Sequence, residues 1–496
     1  MYYISTRNAQ NRVTAAQAIL SGLAEDGGLY VPERIPKLSK EKLQSFVGLS
    51  YQDCALAVLG EYLDDFSPDD LRDCVKGAYT IEKFGSDKIA PLHHLDDTIS
   101  FLELWHGPTC AFKDMALQIL PHFLTKAIKM QKTDKTIVIL VATSGDTGKA
   151  ALEGFANVAG TKFIVFYPAG GVSQIQKLQM VTQEGNNVCT AAVKGNFDDV
   201  QSFVKQIFTD EDYRQQLNQN GYDFSSANSI NWGRLVPQIV YYVYSYCQLV
   251  KQGRLKMGEP MNVVVPTGNF GNILAAYYAK KAGVPIQKLI CASNRNNILT
   301  DFIRTGIYDK NREFSLTISP SMDILISSNL ERLLYDLSDT ETVIGLIENL
   351  QKCGRYEVPT SIKETLDSLF WAGYCGDDET RCTIRETFEK HSYLIDTHTA
   401  VGYHVYRQYV AETGDQTKTV LASTASPFKF NQSVYQALRG AVPENTSEFE
   451  LLSVLSEQTG APVPVSLKEL ADKKVRFDQT VSRDEMYNVV SGFLGL

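Results

Sequence analysis

Four short runs of the chain, residues 136–142, 163–167, 261–265 and 419–422, are almost continuously apolar and rich in β-branched residues. None alternates in and out as a strand with one wet face does; unbroken apolar strands suit a parallel sheet covered on both sides. Each run is followed by a loop and then by apolar positions at helical spacing. Residues 273–282 form one such helical stretch, which Gly283 and Pro285 should stop. Strand alternating with helix predicts an open α/β architecture, with ligands held at the carboxyl ends of the strands.

The pattern changes at both ends of this region. Residues 1–90 carry their own turn signals, Asp26-Gly27-Gly28 and Pro32-Glu33-Arg34-Ile35-Pro36. They also carry a helix start at Ser67-Pro68-Asp69-Asp70, with serine as cap, proline at the first helical position and acids in the first turn. They are expected to form a separate N-terminal lobe. Residues 91–430 are expected to form the α/β core, with a smaller lobe at about 135–220, and residues 431–496 a C-terminal segment packed on it. The stretch 305–395, rich in charge and helix formers, reads as a mostly helical insertion. No short repeat or low-complexity tract interrupts the chain.

At 496 residues the chain is long enough for two or three lobes. Its net charge of -9 argues against a general nucleic-acid binder, leaving room for a local basic pocket that takes one small anion. Nine cysteines are scattered singly, with no C-x-x-C pair and an odd total, so neither a zinc knuckle nor a closed disulfide framework is indicated. The seven histidines (93, 94, 106, 122, 391, 398 and 404) form no tight ligand pair, and no metal is expected. His398 reads as structural, with a place lining the cleft as the lesser alternative. The N-terminus lacks the layout of a secretory signal, and no run approaches the roughly 18 apolar residues of a membrane helix. A cytoplasmic protein without membrane association is the expectation.

Four loops carry candidate chemistry. Lys113 lies among Ala111, Phe112, Met115 and Ala116, surroundings that desolvate an amine and favour its neutral, nucleophilic form. Ser144, Gly145, Asp146, Thr147 and Gly148 follow a strand and open a helix; hydroxyls and N–H groups there suit a carboxylate, while Asp146 or Thr147 can equally cap the helix. Gly268, Asn269, Phe270, Gly271 and Asn272 join a strand to a helix N-terminus, where glycines let backbone N–H groups approach a phosphate. Such turns also occur in α/β folds for steric reasons alone. The spacing is neither G-x-G-x-x-G nor a P-loop, which disfavours nicotinamide and nucleoside triphosphates. Thr424 closes a strand among small residues and offers a hydroxyl to a ring nitrogen. An amine, a small polar loop, a phosphate cradle and a hydroxyl donor together are the parts needed to hold pyridoxal 5'-phosphate as a Schiff base.

These motifs resemble the long form of the threonine synthase family, within the fold type II pyridoxal-phosphate enzymes, over nearly the whole chain. The resemblance rests on Asp26-Gly27-Gly28-Leu29-Tyr30-Val31-Pro32, His106-Gly107-Pro108-Thr109, Ala111-Phe112-Lys113-Asp114 and the loop 144–148. It extends to Asn228-Ser229-Ile230-Asn231-Trp232-Gly233-Arg234, the loop 268–272, Asp396-Thr397-His398-Thr399-Ala400 and Ser423-Thr424-Ala425. It implies two open parallel-sheet lobes plus an N-terminal lobe. Lys113 would be the Schiff-base lysine, residues 268–272 would hold the cofactor phosphate, and Thr424 would face the ring nitrogen. Asp146 stands where many wider type II relatives carry asparagine near the cofactor's ring oxygen; the long form commonly has aspartate there. After Thr424 the chain reads Ala425-Ser426-Pro427-Phe428 where relatives often continue with histidine and alanine.

The implied reaction converts O-phospho-L-homoserine and water to L-threonine and phosphate. It needs a mobile base and two separate anion sites, for a carboxylate and for a leaving phosphate. The loop 144–147 is the candidate for the carboxylate. Asn231 and Arg234 are candidates for the phosphate, since a guanidinium fork matches phosphate oxygens; the alternative for Arg234 is a surface or interdomain ion pair. The rival readings are a degradative phospho-lyase releasing 2-oxobutyrate, a serine or threonine dehydratase, and a cofactor-binding regulator without turnover. The resemblance implies a monomer or homodimer.

Overall fold

The computed structural model describes residues 1–143, 145–170, 172–444 and 446–496, with Phe197 and Asp198 described by backbone alone. All four apolar runs are strands: Thr136–Ala142, Thr161–Pro168, Met261–Pro266 and Thr419–Ser423. The last two are buried at every position, as expected of strands covered on both faces.

They divide between two sheets. The larger has six strands in the order Phe370–Tyr374, Ile286–Ser293, Met261–Pro266, Thr419–Ser423, Ile99–Glu103, Leu92–His94. Every pairing is parallel except the last. The smaller runs Thr480–Val481, Val188–Val193, Thr161–Pro168, Thr136–Ala142, Tyr222–Ser225, all parallel. Its strands therefore reach beyond 135–220 at both edges. The C-terminal helix Met486–Leu494 packs Met486 and Val490 into the same apolar cluster as Val138, Leu140 and Ile164.

The N-terminal residues form a three-stranded antiparallel sheet, with Tyr3–Ser5 between Asn8–Val13 and Tyr30–Pro32. The helix Pro68–Ala78 is capped by Ser67 as its sequence requires. This lobe has no separate core. Tyr3 and Tyr62 lie with ring centroids 5.2 and 6.0 Å from that of Trp232, at the start of the buried helix Trp232–Lys251.

The stretch 305–395 is not wholly a helical insertion. Its helices Leu330–Leu337, Thr340–Cys353, Thr360–Leu369 and Asp377–His391 are present. Phe370–Tyr374, however, forms an edge strand of the larger sheet, pairing with Ile286–Ser293. A five-residue aromatic run set among helix formers gives little periodicity, and pairing to a neighbouring strand decides its state. Among the described residues no helix is long and apolar enough to cross a membrane.

Candidate active site

Loops at the carboxyl ends of four strands converge, as an open parallel sheet dictates. Two of them are stitched directly together. Phe112 N–H donates to the Thr424 carbonyl (2.8 Å), Ser426 N–H to the Cys110 carbonyl (3.0 Å), and Ala111 bridges Ala425. Lys113 and Thr424 are thus held beside one another by backbone. No side-chain hydrogen bond engages the Thr424 hydroxyl among the described residues, although the residue is buried.

Lys113 begins the short helix Asp114–Leu117, its side chain only 11% exposed. Its Nζ lies 3.9 Å from Asp146 Oδ2 and donates to Ser321 Oγ at 3.5 Å, with the Phe112 ring centroid 5.0 Å away. Burial brings the amine down to about 8; Asp146 opposes the drop, and Lys429 and Arg234 add to it. Near pH 8 about half of such amines are neutral, against under about 1% of exposed lysines.

Asp146 is not available to a substrate carboxylate. Its Oδ1 accepts from Lys429 Nζ (2.8 Å) and Gln176 Nε2 (3.0 Å), and its Oδ2 from Ser321 Oγ (3.4 Å). Although burial works against ionisation, Lys429 first and Lys113 second hold this carboxyl well below the usual range. Nor does it cap its helix. Gly145, at φ 141° where a side chain would be strained, is the N-cap of Asp146–Phe155. Thr143 Oγ1 instead accepts from Gly145 N–H (3.0 Å) and Gly148 N–H (2.9 Å). What remains for an anion is the N–H groups of Asp146 and Thr147 and the half-buried Thr147 side chain. Ser144 lies outside the described residues.

The glycine loop leads into helix Gly271–Ala282, whose first N–H groups have no partner within the helix, an arrangement suited to an anion. Phe270 adopts φ 61°, a left-handed conformation rare for an aromatic residue, and its buried ring sits 5.9 Å from Phe370. Its side chain therefore faces the core, and only its backbone is left for a ligand. A Cβ on Gly268 would lie 2.6 Å from the Ser321 carbonyl, so no side chain fits there. The exposed Asn269 is held through its carbonyl, which accepts from Asn329 N–H (3.2 Å) and Nδ2 (3.0 Å). Tyr241 and Tyr242 both donate to Asn272 Oδ1. Among the described residues the buried Nδ2 of Asn272 has no partner, a fixed donor facing no acceptor.

Arg234 and Asn231 share a motif but not a role. Asn231 is fully buried as N-cap of Trp232–Lys251: its Nδ2 donates to the Ile19 (2.9 Å) and Ser226 (2.7 Å) carbonyls, and its Oδ1 accepts from Gly233 N–H (2.8 Å). No donor remains for a substrate. An asparagine just before a long apolar run carried that signal. Arg234 is 4% exposed and so not a surface residue; among the described residues it makes no ion pair. Among the described residues the NH1 bond to the Ala227 carbonyl (3.0 Å) is its only side-chain hydrogen bond, and its buried Nε is unpartnered. Burial alone lowers the guanidinium to about 10. A buried cation without a counter-ion is strongly disfavoured unless an anion arrives.

Arg332 and Lys429 support the site without any signal in the sequence, and His398 joins them in the structural role expected of it. Arg332, fully buried, donates to the Tyr30 carbonyl (2.9 Å), to Asn329 and to the Ile230 carbonyl, tying together the N-terminal lobe, the glycine loop and the Arg234 segment. His398 proves structural: Nδ1 bonds Asp396 (2.7 Å), and Nε2 accepts from the Ser321 N–H (3.1 Å), fixing the residue that touches both Lys113 and Asp146. Lys429 sits in the 3-10 turn Pro427–Phe430 directly after the Thr424 loop.

Residues 2–79 match the family model for the threonine synthase N terminus, 87–349 that for pyridoxal-phosphate dependent enzymes, and 399–489 that for the threonine synthase C-terminal region. Human threonine synthase-like 1 is 38% identical over 98% of this chain and 67% of its own length. Threonine synthase of Saccharomyces cerevisiae is 38% identical, with 88% of this chain and 89% of the relative aligned. A solved structure of pyridoxal-phosphate-bound threonine synthase from Brucella melitensis superposes with a TM-score of 0.87 at 35% identity, covering 100% of this chain and 98% of that one.

Proposed function

Because the chain belongs to the threonine synthase family and is a pyridoxal-phosphate-dependent lyase, we propose that it converts O-phospho-L-homoserine and water to L-threonine and phosphate. The observation that supports this reading is the buried Arg234 guanidinium, which has no counter-ion among the described residues and suits an anion other than the cofactor phosphate. The human relative, threonine synthase-like 1, is named for likeness rather than activity, so support for the reaction comes from the site.

The residues present fit the cofactor. Asn272 Nδ2, unpartnered among the described residues, and the N–H groups opening Gly271–Ala282 suit its phosphate, while Gly268 lets the loop pack against the Ser321 carbonyl. Lys113 is an amine poised to hold it, and the unengaged Thr424 hydroxyl suits a ring nitrogen. When bound, the cofactor supplies an electron sink for charge developing on the substrate's carbon atoms.

The remaining work falls to the chain. Lys113, once released by the substrate amine, takes the Cα proton and returns protons along the substrate; an amine near 8 serves both directions at neutral pH. The N–H groups of Asp146 and Thr147 orient the substrate carboxylate. Arg234 binds the phosphate and stabilises it as it leaves Cγ. Water then adds at Cβ, where threonine gains its hydroxyl.

A dehydratase acting on serine or threonine gives no use for Arg234, because its substrates bring no second anion. The expected outcome is a kcat/KM for O-phospho-L-homoserine at least about 10^3-fold above that for L-serine or L-homoserine, since a site with an unpaired buried charge rejects analogues that leave it unpaired. Comparable rates on the three substrates would exclude the phosphorylated one as the natural class. We also read the protein as a cytoplasmic monomer or homodimer that binds no nucleic acid, a reading supported by its net charge of -9 and nine unpaired cysteines.

A further inference from the structure

We propose that Lys429 is a positioning residue: by neutralising Asp146 on one carboxylate oxygen, it lets that carboxylate orient the Lys113 amine without locking it as an ammonium. The proposal rests on Lys113 being the reactive amine. Lys429 has a fully buried side chain and makes two contacts: Asp146 Oδ1 at 2.8 Å and the Thr109 carbonyl at 2.8 Å. The carboxylate faces Lys429 at hydrogen-bond distance and Lys113 only at 3.9 Å, so its strong ion pair is with the residue that does no chemistry.

The alternative arrangement has clear consequences. Without Lys429, a buried Asp146 has Lys113 as its one cationic partner, and a close pair would hold the amine protonated. The other charged groups around Lys113 are Arg234 and Asp114, and Cys110 and His398 lie on adjoining segments. Asp114 is engaged by Thr109 through N–H and Oγ1, both at 2.8 Å. His398 is committed to Asp396 and the Ser321 N–H. Neither can replace Lys429 at Asp146 Oδ1. The cluster Lys113, Asp146, Lys429 thus alternates in sign, and its outer lysine discharges the carboxylate so that the inner one can cycle between charged and neutral forms.

The test uses the apoprotein, so it reads Lys113 and not turnover. Competitive acetylation with trace acetic anhydride across a pH series, read by mass spectrometry of the Lys113 peptide, gives the midpoint at which that amine becomes reactive. The wild type should titrate near 8. In Lys429→Met the midpoint should move up by about one pH unit or more, and in Lys429→Arg it should stay near the wild-type value. Pyridoxal phosphate added to each apoprotein should form its visible band with the same displaced pH dependence. An unchanged or lowered midpoint in Lys429→Met overturns the proposal. If that variant does not fold, Lys429→Gln keeps a hydrogen-bond donor toward Asp146 and the Thr109 carbonyl without the charge, and its midpoint should rise likewise; an unchanged or lowered midpoint there overturns the proposal as well. A visible band that persists in Lys113→Ala instead sinks the assignment of Lys113, a separable result.

Discussion

Lys113→Ala should abolish the visible absorption band of the cofactor-loaded protein and lower turnover by about 10^4-fold, the upper range for a positioned acid–base group. Other lysines lie nearby, but none is free to substitute. Lys429 is tied to Asp146 and the Thr109 carbonyl, and Lys149 to Glu153 at 2.8 Å and to Gln183. The alanine variant should still fold, because Asp146 keeps Lys429 as its principal counter-ion. Borohydride treatment of the loaded wild type should label the peptide containing Lys113 and no other. Wild-type loading should also depend on pH with a definite sign. The amine is lowered to about 8, so the reactive neutral form grows as pH rises through 8 and is lost below it. A variant that kept both the band and the activity would remove Lys113 from the chemistry.

Arg234→Met should retain the cofactor and its spectrum while losing activity toward O-phospho-L-homoserine. On the proposed reading the glycine loop and Asn272 take the cofactor phosphate, so loss of the guanidinium should fall chiefly on the substrate, beside a rise in the Lys113 amine that Arg234 helps to lower. Losing a charge-assisted contact to a desolvated phosphate costs on the order of 2–5 kcal/mol, roughly 30- to 4,000-fold in kcat/KM. Arg234→Lys should recover only part of this, since an ammonium cannot reproduce the fork. Stability should move the other way. The guanidinium is buried without a counter-ion and with an unpartnered Nε, so a methionine of similar volume should melt no lower than wild type in phosphate-free buffer. Normal kinetics in Arg234→Met would mean that another cation takes the phosphate. A sharply lower Tm would mean the residue is chiefly structural.

What the sequence made legible follows from the range of the forces involved. The apolar runs at 136–142 and 261–265 announce buried parallel strands because burial on both faces acts residue by residue. Glycine spacing at 268–271 and the apolar neighbours of Lys113 are likewise local. Lys429 was not legible. It lies five residues past Thr424, but its partner Asp146 is 283 positions away, and only the fold brings the charges together. The edge strands Phe370–Tyr374 and Thr480–Val481 are set by pairing rather than by their own pattern. Asn231 and Arg234 show the limit of a motif: two residues of one segment, one spent on capping its helix and the other without an ion-pair partner among the described residues.

The most direct measurement is the fate of O-phospho-L-homoserine incubated with the loaded enzyme in heavy-oxygen water, followed by mass spectrometry of all products. Threonine and phosphate should appear in equal amounts, with the label in the threonine hydroxyl and none in the phosphate, because water adds at Cβ after the Cγ–O bond breaks. Accumulation of 2-oxobutyrate in place of threonine, or of homoserine with labelled phosphate, would contradict the assignment.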